Sequence, residues 1–420
     1  MFNFFKKFPL GLDISDYSIE VLELERKFRK LYLGTYGRVK LEEGIVKDGK
    51  ILHKEKLKEK IKELLAVTVP RPFKTNQVIL SLPESKTFSY VFKLPVSLSA
   101  KELHSTVESE ALKTIPLDPE SSCFDFQIVS KKKDIQEVLY AGTLREIVDE
   151  YLEVLRDVGL EPLVLDIESC SLARAFENEI IKDGGILIVD IGARTTVLTI
   201  FDQDSIRLSA IVPIAGNHFT QVISEELSIS LEKAEKLKRS CGLDPEKGEG
   251  RVMLILQSVL QDILNEIKKS ISFYEQKSKR KIKKILLCGG SSFVPELSSY
   301  LASNCGIETE VPDPWKGIDV EELFKKKELR KIIETKPHPV FFANVIGLAK
   351  RGLEKDPETA GINLIPLEER PKSTFIGRKL SKSKIFSFLV FGFVIVAFAF
   401  LGWVVYTYIF KALFPKPPPI

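Results

Sequence analysis

The hydrophobic pattern of this chain switches repeatedly between a two-residue and a 3.6-residue rhythm. Residues 10–24, "LGLDISDYSIEVLEL", alternate as an extended pair around a turn, since successive strand side chains point to opposite faces. Residues 54–66, "KEKLKEKIKELLA", place apolar side chains at helical spacing above a charged face. "QVILSL" (77–82) predicts a short buried strand, and "SAKELHSTVESEALKTIP" a helix that begins at a serine cap and stops at Pro116. A strand pair, "DFQIVS" and "EVLYAGT", the helix "LREIVDEYLEVLRDVG", the strand "PLVLDIE" and the helix "SCSLARAFENEI" complete the first half. The second half opens on a meander, "GGILIVDIGARTTVLTIFDQDSIRLSAIVPI", continues through helices to residue 276, and meets a strand and glycines in "KKILLCGGSS". Strand, Asp-containing turn, strand, then helices occurs twice, so the pattern predicts an α/β architecture of two related lobes.

With 420 residues, 44% of them hydrophobic and 29% charged, the chain has room for roughly two or three domains and a substantial core. The net charge of +4 is spread over alternating Lys and Glu positions, and no motif that reads RNA or DNA accompanies it, which argues against nucleic acid. The five cysteines are scattered without a CxxC pair, and none of the four histidines has metal-ligand spacing, so reduced thiols and no protein-built metal centre are expected.

One segment departs from a globular composition. Between Ile385 and Phe410 no charged residue occurs, and about 20 apolar residues suffice to cross a bilayer core. Arg370, Lys372, Arg378, Lys379, Lys382 and Lys384 precede this stretch, whereas only Lys411 and Lys416 follow it. The bias predicts one transmembrane helix, the N-terminal body cytoplasmic and "FPKPPPI" a short external stub.

Two turns invite phosphate chemistry. "GLDIS" and "VDIGARTT" each set an aspartate, Asp13 or Asp190, at the end of an apolar strand before small or hydroxyl residues. Such turns can present backbone N–H groups to phosphate oxygens while the carboxylate orients a hydrated cation. "LLCGGSS" adds a glycine turn able to lie against a flat base or ribose. Taken singly, each is more often an ordinary turn.

As a set, "LGLDISDYSIEVLEL", "LDIESCSLARAF", "VDIGARTTVLTIF", "PIAGNHFTQVISEELSISLEKAEKLK", "EIKKSISFYEQ" and "LLCGGSSFVPEL" resemble the actin-like ATPase superfamily, and within it the PilM family of type IV pilus assembly proteins. The resemblance runs over residues 9–350. It implies a two-lobed actin-like fold with an inserted partner-binding subdomain, called 1C, and ATP with Mg in the cleft. By that resemblance Asp13, Ser15 and Ser18 face the phosphates from one lobe, and Asp190, Gly192, Arg194, Thr195 and Thr196 from the other. Asp13 and Asp190 would hold Mg through water, Lys238, Gly289 and Gly290 would contact adenosine, and Glu168 stands where chaperone-type relatives orient a water. A plain helix-terminal charge explains Glu168 equally well.

Departures weaken the phosphate side. The family usually has Gly at Ser15, a small hydroxyl residue at Asp16 and Lys at Glu20. Two extra carboxylates repel a triphosphate unless a cation or Arg194 compensates. Arg194 either clamps a γ-phosphate or pairs with Asp16. At most a slow ATPase is expected.

The implied organisation is lobe 1 (1–88), the 1C-like insert (89–163), the remaining body (164–350), a charged linker (351–384), the span (385–410) and the stub (411–420). Within the linker, Ile362, Asn363, Leu364, Ile365 and Pro366 spell "INLIP". This is similar to the motif by which the membrane protein PilN engages PilM, so the chain looks like a PilM body fused to a PilN-like tail and span. The layout is also similar to the L components of type II secretion. Extended aliphatic residues can fill alternate pockets while the backbone pairs with a sheet edge. Docking in cis or, through a homo-oligomer, in trans is open at this point. The resemblance implies PilN- and PilO-like proteins and a cytoplasmic assembly ATPase as partners. An FtsA-like cell-division homologue and an active actin-fold ATPase or kinase are the rival readings.

Overall fold

A computed structural model describes residues 7–28, 30–181, 183–320 and 339–370. The predicted span, most of its basic flank and the stub lie outside the described residues; among the described ones no helix is long and apolar enough to cross a membrane.

The first lobe begins as a meander of β1 (Leu10–Ile14), β2 (Ser18–Lys27) and β3 (Lys30–Lys40). A small hairpin of β4 (Val46–Lys47) and β5 (Lys50–Ile51) leads into α1 (Lys54–Ala66). Leu57, Ile61 and Leu64 of α1 are the buried stripe its spacing predicts. The strand β6 (Gln77–Leu82) then lies parallel to β1.

The insert follows as β7 (Phe88–Pro95), α2 (Ala100–Thr114), β8 (Ser122–Lys131) and β9 (Ile135–Leu144), its antiparallel strands in the order β7-β9-β8. Ser99 starts α2 with a capping box, its hydroxyl accepting from the Glu102 N–H while the Glu102 carboxylate accepts from the Ser99 N–H. α2 buries Leu103, Val107 and Ala111 against Phe92, Leu94, Val138 and Tyr140 of this sheet. The chain returns through α3 (Arg145–Asp157) to β10 (Glu161–Ile167), parallel to β6. Tyr151, Leu152 and Leu155 of α3 join the core of the first lobe.

The second lobe repeats the theme. After α4 (Glu168–Ala175) come β11 (Gly185–Ile191), β12 (Thr196–Asp202) and β13 (Ser205–Val212), then α5 (Gly216–Leu227), α6 (Leu231–Ser240) and α7 (Arg251–Ser278). The strand β14 (Ile282–Cys288), α8 (Leu297–Cys305) and β15 (Glu308–Glu310) complete a sheet ordered β13-β12-β11-β14-β15. A short β16 (Ile318–Asp319) crosses back to the first sheet, ordered β10-β6-β1-β2-β3-β16. The last described helix, α9 (Ala343–Gly352), lies over β1 and α4. It can do so because residue 347 is glycine: a Cβ there would overlap the Ser171 carbonyl.

Residues up to Glu369 form one compact unit. The charge pattern predicts a linker from 351, but α9 runs on to Gly352 and the chain keeps packing on the body beyond it. Arg351 is wholly buried, and so are Ile362, Asn363, Leu364 and Ile365.

Candidate nucleotide cleft and peptide groove

β1 and β11 are the first strands of their lobes, and each ends one residue after an aspartate. Asp13 and Asp190 therefore arrive at a shared cleft of about 710 Å³, within the range of small-molecule sites. Ser15, Ser18, Gly192, Arg194, Thr195, Lys238, Gly289, Gly290 and Glu168 also line it. Thr196 does not: it is the buried first residue of β12, and its hydroxyl donates to the Ile214 carbonyl at 2.7 Å. Alternation along a strand turns neighbouring Thr195 and Thr196 to opposite faces.

The two glycines after β14 fit a closely approached ligand. Gly289 has a φ of +80°, and a Cβ there would collide with the Asp190 carboxylate. Gly290 faces the Phe341 ring, which the Arg38 guanidinium overlies at 5.4 Å. Among the residues missed by sequence reading, Phe341 offers that cleft a flat apolar wall. Asn344, whose side chain bonds Ser171 and donates to Ser81 at 3.0 Å, braces the floor. Neither carries a sequence signal, because their positions follow from how α9 crosses the first lobe.

The acids are held under electrostatic tension. Burial, followed by the charge of Glu20, pushes the Asp13 carboxyl up to about 7. Burial pushes Asp190 up to about 6. Burial, then the charges of Asp190 and Asp13, raises Glu168, whose carboxylate accepts from the Glu84 N–H at 3.2 Å. Three mutually repelling carboxyls in one cavity suit a hydrated divalent cation. Among the described residues no group of three or more acids, His or Cys converges tightly enough to bind a metal directly. Lys238 is buried and salt-bridged to Glu235 at 2.6 Å, and it donates to the Gly216 carbonyl and Thr220 hydroxyl, both at 2.9 Å. Burial lowers its pKa.

The two unusual carboxylates are neutralised internally. Glu20 is buried and pairs with Arg38, which also donates to Ser18 at 3.1 Å. Asp16 accepts from the Asp48 and Gly49 N–H groups at 2.8 and 3.2 Å. Arg194 reaches over from the second lobe to form ion pairs with Asp16 at 3.1 Å and Asp48 at 3.2 Å. Asn217 donates to the Tyr17 hydroxyl beside them at 2.5 Å. Of the two alternatives for Arg194, the lobe-bridging pair with Asp16 is the one the geometry contains. This mouth of the cleft is thus latched by protein charges.

A second site lies on the edge strand β10. Leu364 N–H donates to the Leu165 carbonyl at 2.8 Å. The Asn363 side chain continues the ladder: its oxygen accepts from the Leu165 and Ile365 N–H groups at 3.1 and 3.2 Å, and its nitrogen donates to the Leu163 carbonyl at 3.1 Å. Asn363 N–H donates to Asp125 of β8 at 2.9 Å, so the segment bridges the first sheet and the insert. Ile362, Leu364 and Ile365 enter the first-lobe core.

Arg351 folds the approach. It pairs with buried Asp166 at 2.7 Å and donates to the carbonyls of Pro357, Gly361 and Ile362, at 2.9, 3.2 and 2.5 Å. Beyond half-buried Pro366, Glu369 is held by Arg145 at 2.7 Å and Arg156 at 3.1 Å. The segment packs on the body of its own chain.

Two lobes built on the same strand order, closing over a nucleotide-sized cleft rimmed by two strand-end aspartates, define an actin-like protein. The sequence profile of type IV pilus assembly protein PilM matches residues 11–352. The chain belongs to that family. It is similar to a chain of the PilM-PilN type IV pilus biogenesis complex, at 26% identity and a TM-score of 0.69, covering 82% of this chain and 98% of that one. It is also similar to the DNA utilization protein HofM of Escherichia coli, 27% identical over 29% of this chain and 46% of that protein. The cell division protein FtsA of Pseudomonas aeruginosa is 33% identical over 24% of this chain and 25% of its own length. These curated relatives are matched over less than half of their length.

Proposed function

We propose that this chain is an assembly-platform scaffold of a type IV pilus, or of a related secretion machine, that carries its partner's docking peptide on its own polypeptide. The observation that carries the reading is the INLIP segment seated on β10, in a family one of whose solved members is a PilM-PilN complex. The charge-free stretch 385–410 would anchor the body to the cytoplasmic face of the inner membrane. PilN- and PilO-like membrane proteins and an assembly ATPase fit as neighbours in such a platform.

In the cleft, Asp13 and Asp190 are suited to orient waters around Mg, with the glycine turn and Phe341 against adenosine. A bound nucleotide would supply phosphate charge that joins the lobes. The Arg194 latch already joins them, which supports ATP as a structural ligand over rapid turnover. Glu168, spent in part on the Glu84 N–H, is a weak candidate for orienting water.

A peptide "GINLIPLEERP" labelled with a fluorophore tests the reading. It should bind tightly to a chain lacking Ile362–Pro366 and negligibly to the intact chain, because the tethered copy competes at an effective concentration near the millimolar range. Equal binding to both, or to neither, would overturn it.

A further inference from the structure

Three strands of the first lobe line up their charges in one row. The antiparallel register sets Asp13 of β1 opposite Glu20 of β2, and Glu20 opposite Arg38 of β3. Directly opposed residues share a face of the sheet, and all three line the cleft. The row therefore runs acid, acid, base over two strand spacings, roughly 10 Å.

The cleft is short of uncommitted positive charge. Among the described residues its lining cations are Arg38, Arg194, Lys238 and Arg239. Arg194 is committed to Asp16 and Asp48. Lys238 spends its ammonium donors on Glu235, the Gly216 carbonyl and the Thr220 hydroxyl, which leaves none over. Arg239 pairs with Glu235 from the rim, its side chain 77% exposed. Arg38 differs. Its Nε–H donates to Glu20 and its Nη2 to the Ser18 hydroxyl at 3.1 Å, while Nη1 has no partner among the described residues.

The same contacts hold the guanidinium still. Glu20 is buried and grips one edge, and the flat face lies 5.4 Å over the Phe341 ring. Ser18 in turn donates its N–H to the Ser15 hydroxyl at 3.1 Å, so Arg38 is braced on the turn that follows Asp13. A guanidinium fixed along one edge and open along the other is pre-organised for an oxyanion, since little side-chain freedom remains to be lost.

We propose that Arg38 binds the phosphate oxygens of the nucleotide from the first lobe, with Glu20 as its positioning residue. Asp13, at the other end of the row, faces the hydrated cation. The inference deepens the nucleotide reading above and rests on it. It also makes the row selective for a phosphate tail. Toward a neutral ligand the charges of Glu20 and Arg38 cancel, whereas a phosphate meets the open guanidinium edge directly.

The test is titration calorimetry on the full chain in detergent, with Mg-ATP and with adenosine. Glu20→Gln combined with Arg38→Gln removes the pair without changing net charge, and leaves two amides able to bond each other. ATP affinity should then fall about tenfold to a hundredfold, the share of a charge-assisted bond, with adenosine affinity unchanged. Glu20→Gln alone should raise ATP affinity several-fold by freeing the guanidinium. Undiminished ATP affinity in the double variant would show that Arg38 merely neutralises Glu20 and would overturn the proposal. Equal losses for ATP and adenosine would make the effect structural and overturn it as well. Should the double variant fail to fold, Arg38→Lys decides, because it keeps the charge and loses the fork; ATP affinity equal to that of the unsubstituted chain sinks the idea. If neither the unsubstituted chain nor an Asp16→Asn chain binds Mg-ATP, the nucleotide reading itself falls, and this proposal with it.

Discussion

Replacing Asn363 by alanine removes one small side chain and leaves three backbone groups stranded. The Leu165 N–H, the Ile365 N–H and the Leu163 carbonyl all bond to that amide. A buried polar group without a partner costs ~1–3 kcal/mol, and partial hydration lowers the sum to roughly 3–5 kcal/mol. Against this stands the burial of Ile362, Leu364 and Ile365, worth roughly 5–9 kcal/mol gross. Ordering the segment consumes much of it at ~1–2 kcal/mol per residue, so docking has only a few kcal/mol in hand. Asn363→Ala is therefore expected to release the segment without unfolding the lobes. Amide hydrogen exchange reads this directly. Protection at Leu364 and Leu165 should fall by roughly a hundredfold to a thousandfold, at 1.4 kcal/mol per decade, while β11 and β14 keep theirs. Unchanged protection at Leu364 would refute the reasoning, because it would mean that the amide carries no register information.

Two further outcomes are expected. Asp16→Asn keeps one of the two oxygens that accept from the Asp48 and Gly49 N–H groups, removes a charge from the first-lobe turn and frees Arg194; calorimetry should show ATP affinity rising about tenfold, and Arg194→Ala should lower it about tenfold. Equal affinities in the three proteins would dissolve the latch. The second outcome concerns pH. Asp13 at about 7 and Asp190 at about 6 lie above the ordinary carboxylate range. Their contribution to stability is complete below about pH 4 and is lost as pH rises through the folded values, up to ~4 kcal/mol for Asp13. Without divalent cations the Tm should fall between pH 5 and 8, Mg should restore it above pH 7 and do little at pH 5, and Asp13→Asn should flatten the curve. A flat profile in the unsubstituted protein would show that the acids are not coupled to folding.

What the sequence revealed, and what it hid, divides along contact distance. β1, β11, α1 and the capped start of α2 rest on local rhythm and neighbouring side chains, and they stand where the pattern puts them. Asp13 and Asp190 were legible for the same reason, since a strand-end aspartate before small residues is a local signature. The latch was legible in part: the Arg194–Asp16 pair was one of two alternatives, whereas Asp48 joins it only after two lobes have formed. Thr196 looked like its neighbour Thr195 until the alternation of β12 turned its hydroxyl to Ile214. The INLIP segment was legible as a motif but its seat was not. Asp125, Leu163 and Leu165 belong to different sheets, and Arg351 was one more charge in a charged stretch until burial beside Asp166 gave it a task.

The route by which the chain leaves its body has a mechanical consequence. Tension applied at Arg370 meets the Arg145 and Arg156 clamps on Glu369 before it reaches Asn363. It then loads the Asn363 and Leu364 bonds to β10 and, behind them, the buried Arg351. A tug from the tail is thus resisted in graded stages, each of which gives way before the next is loaded.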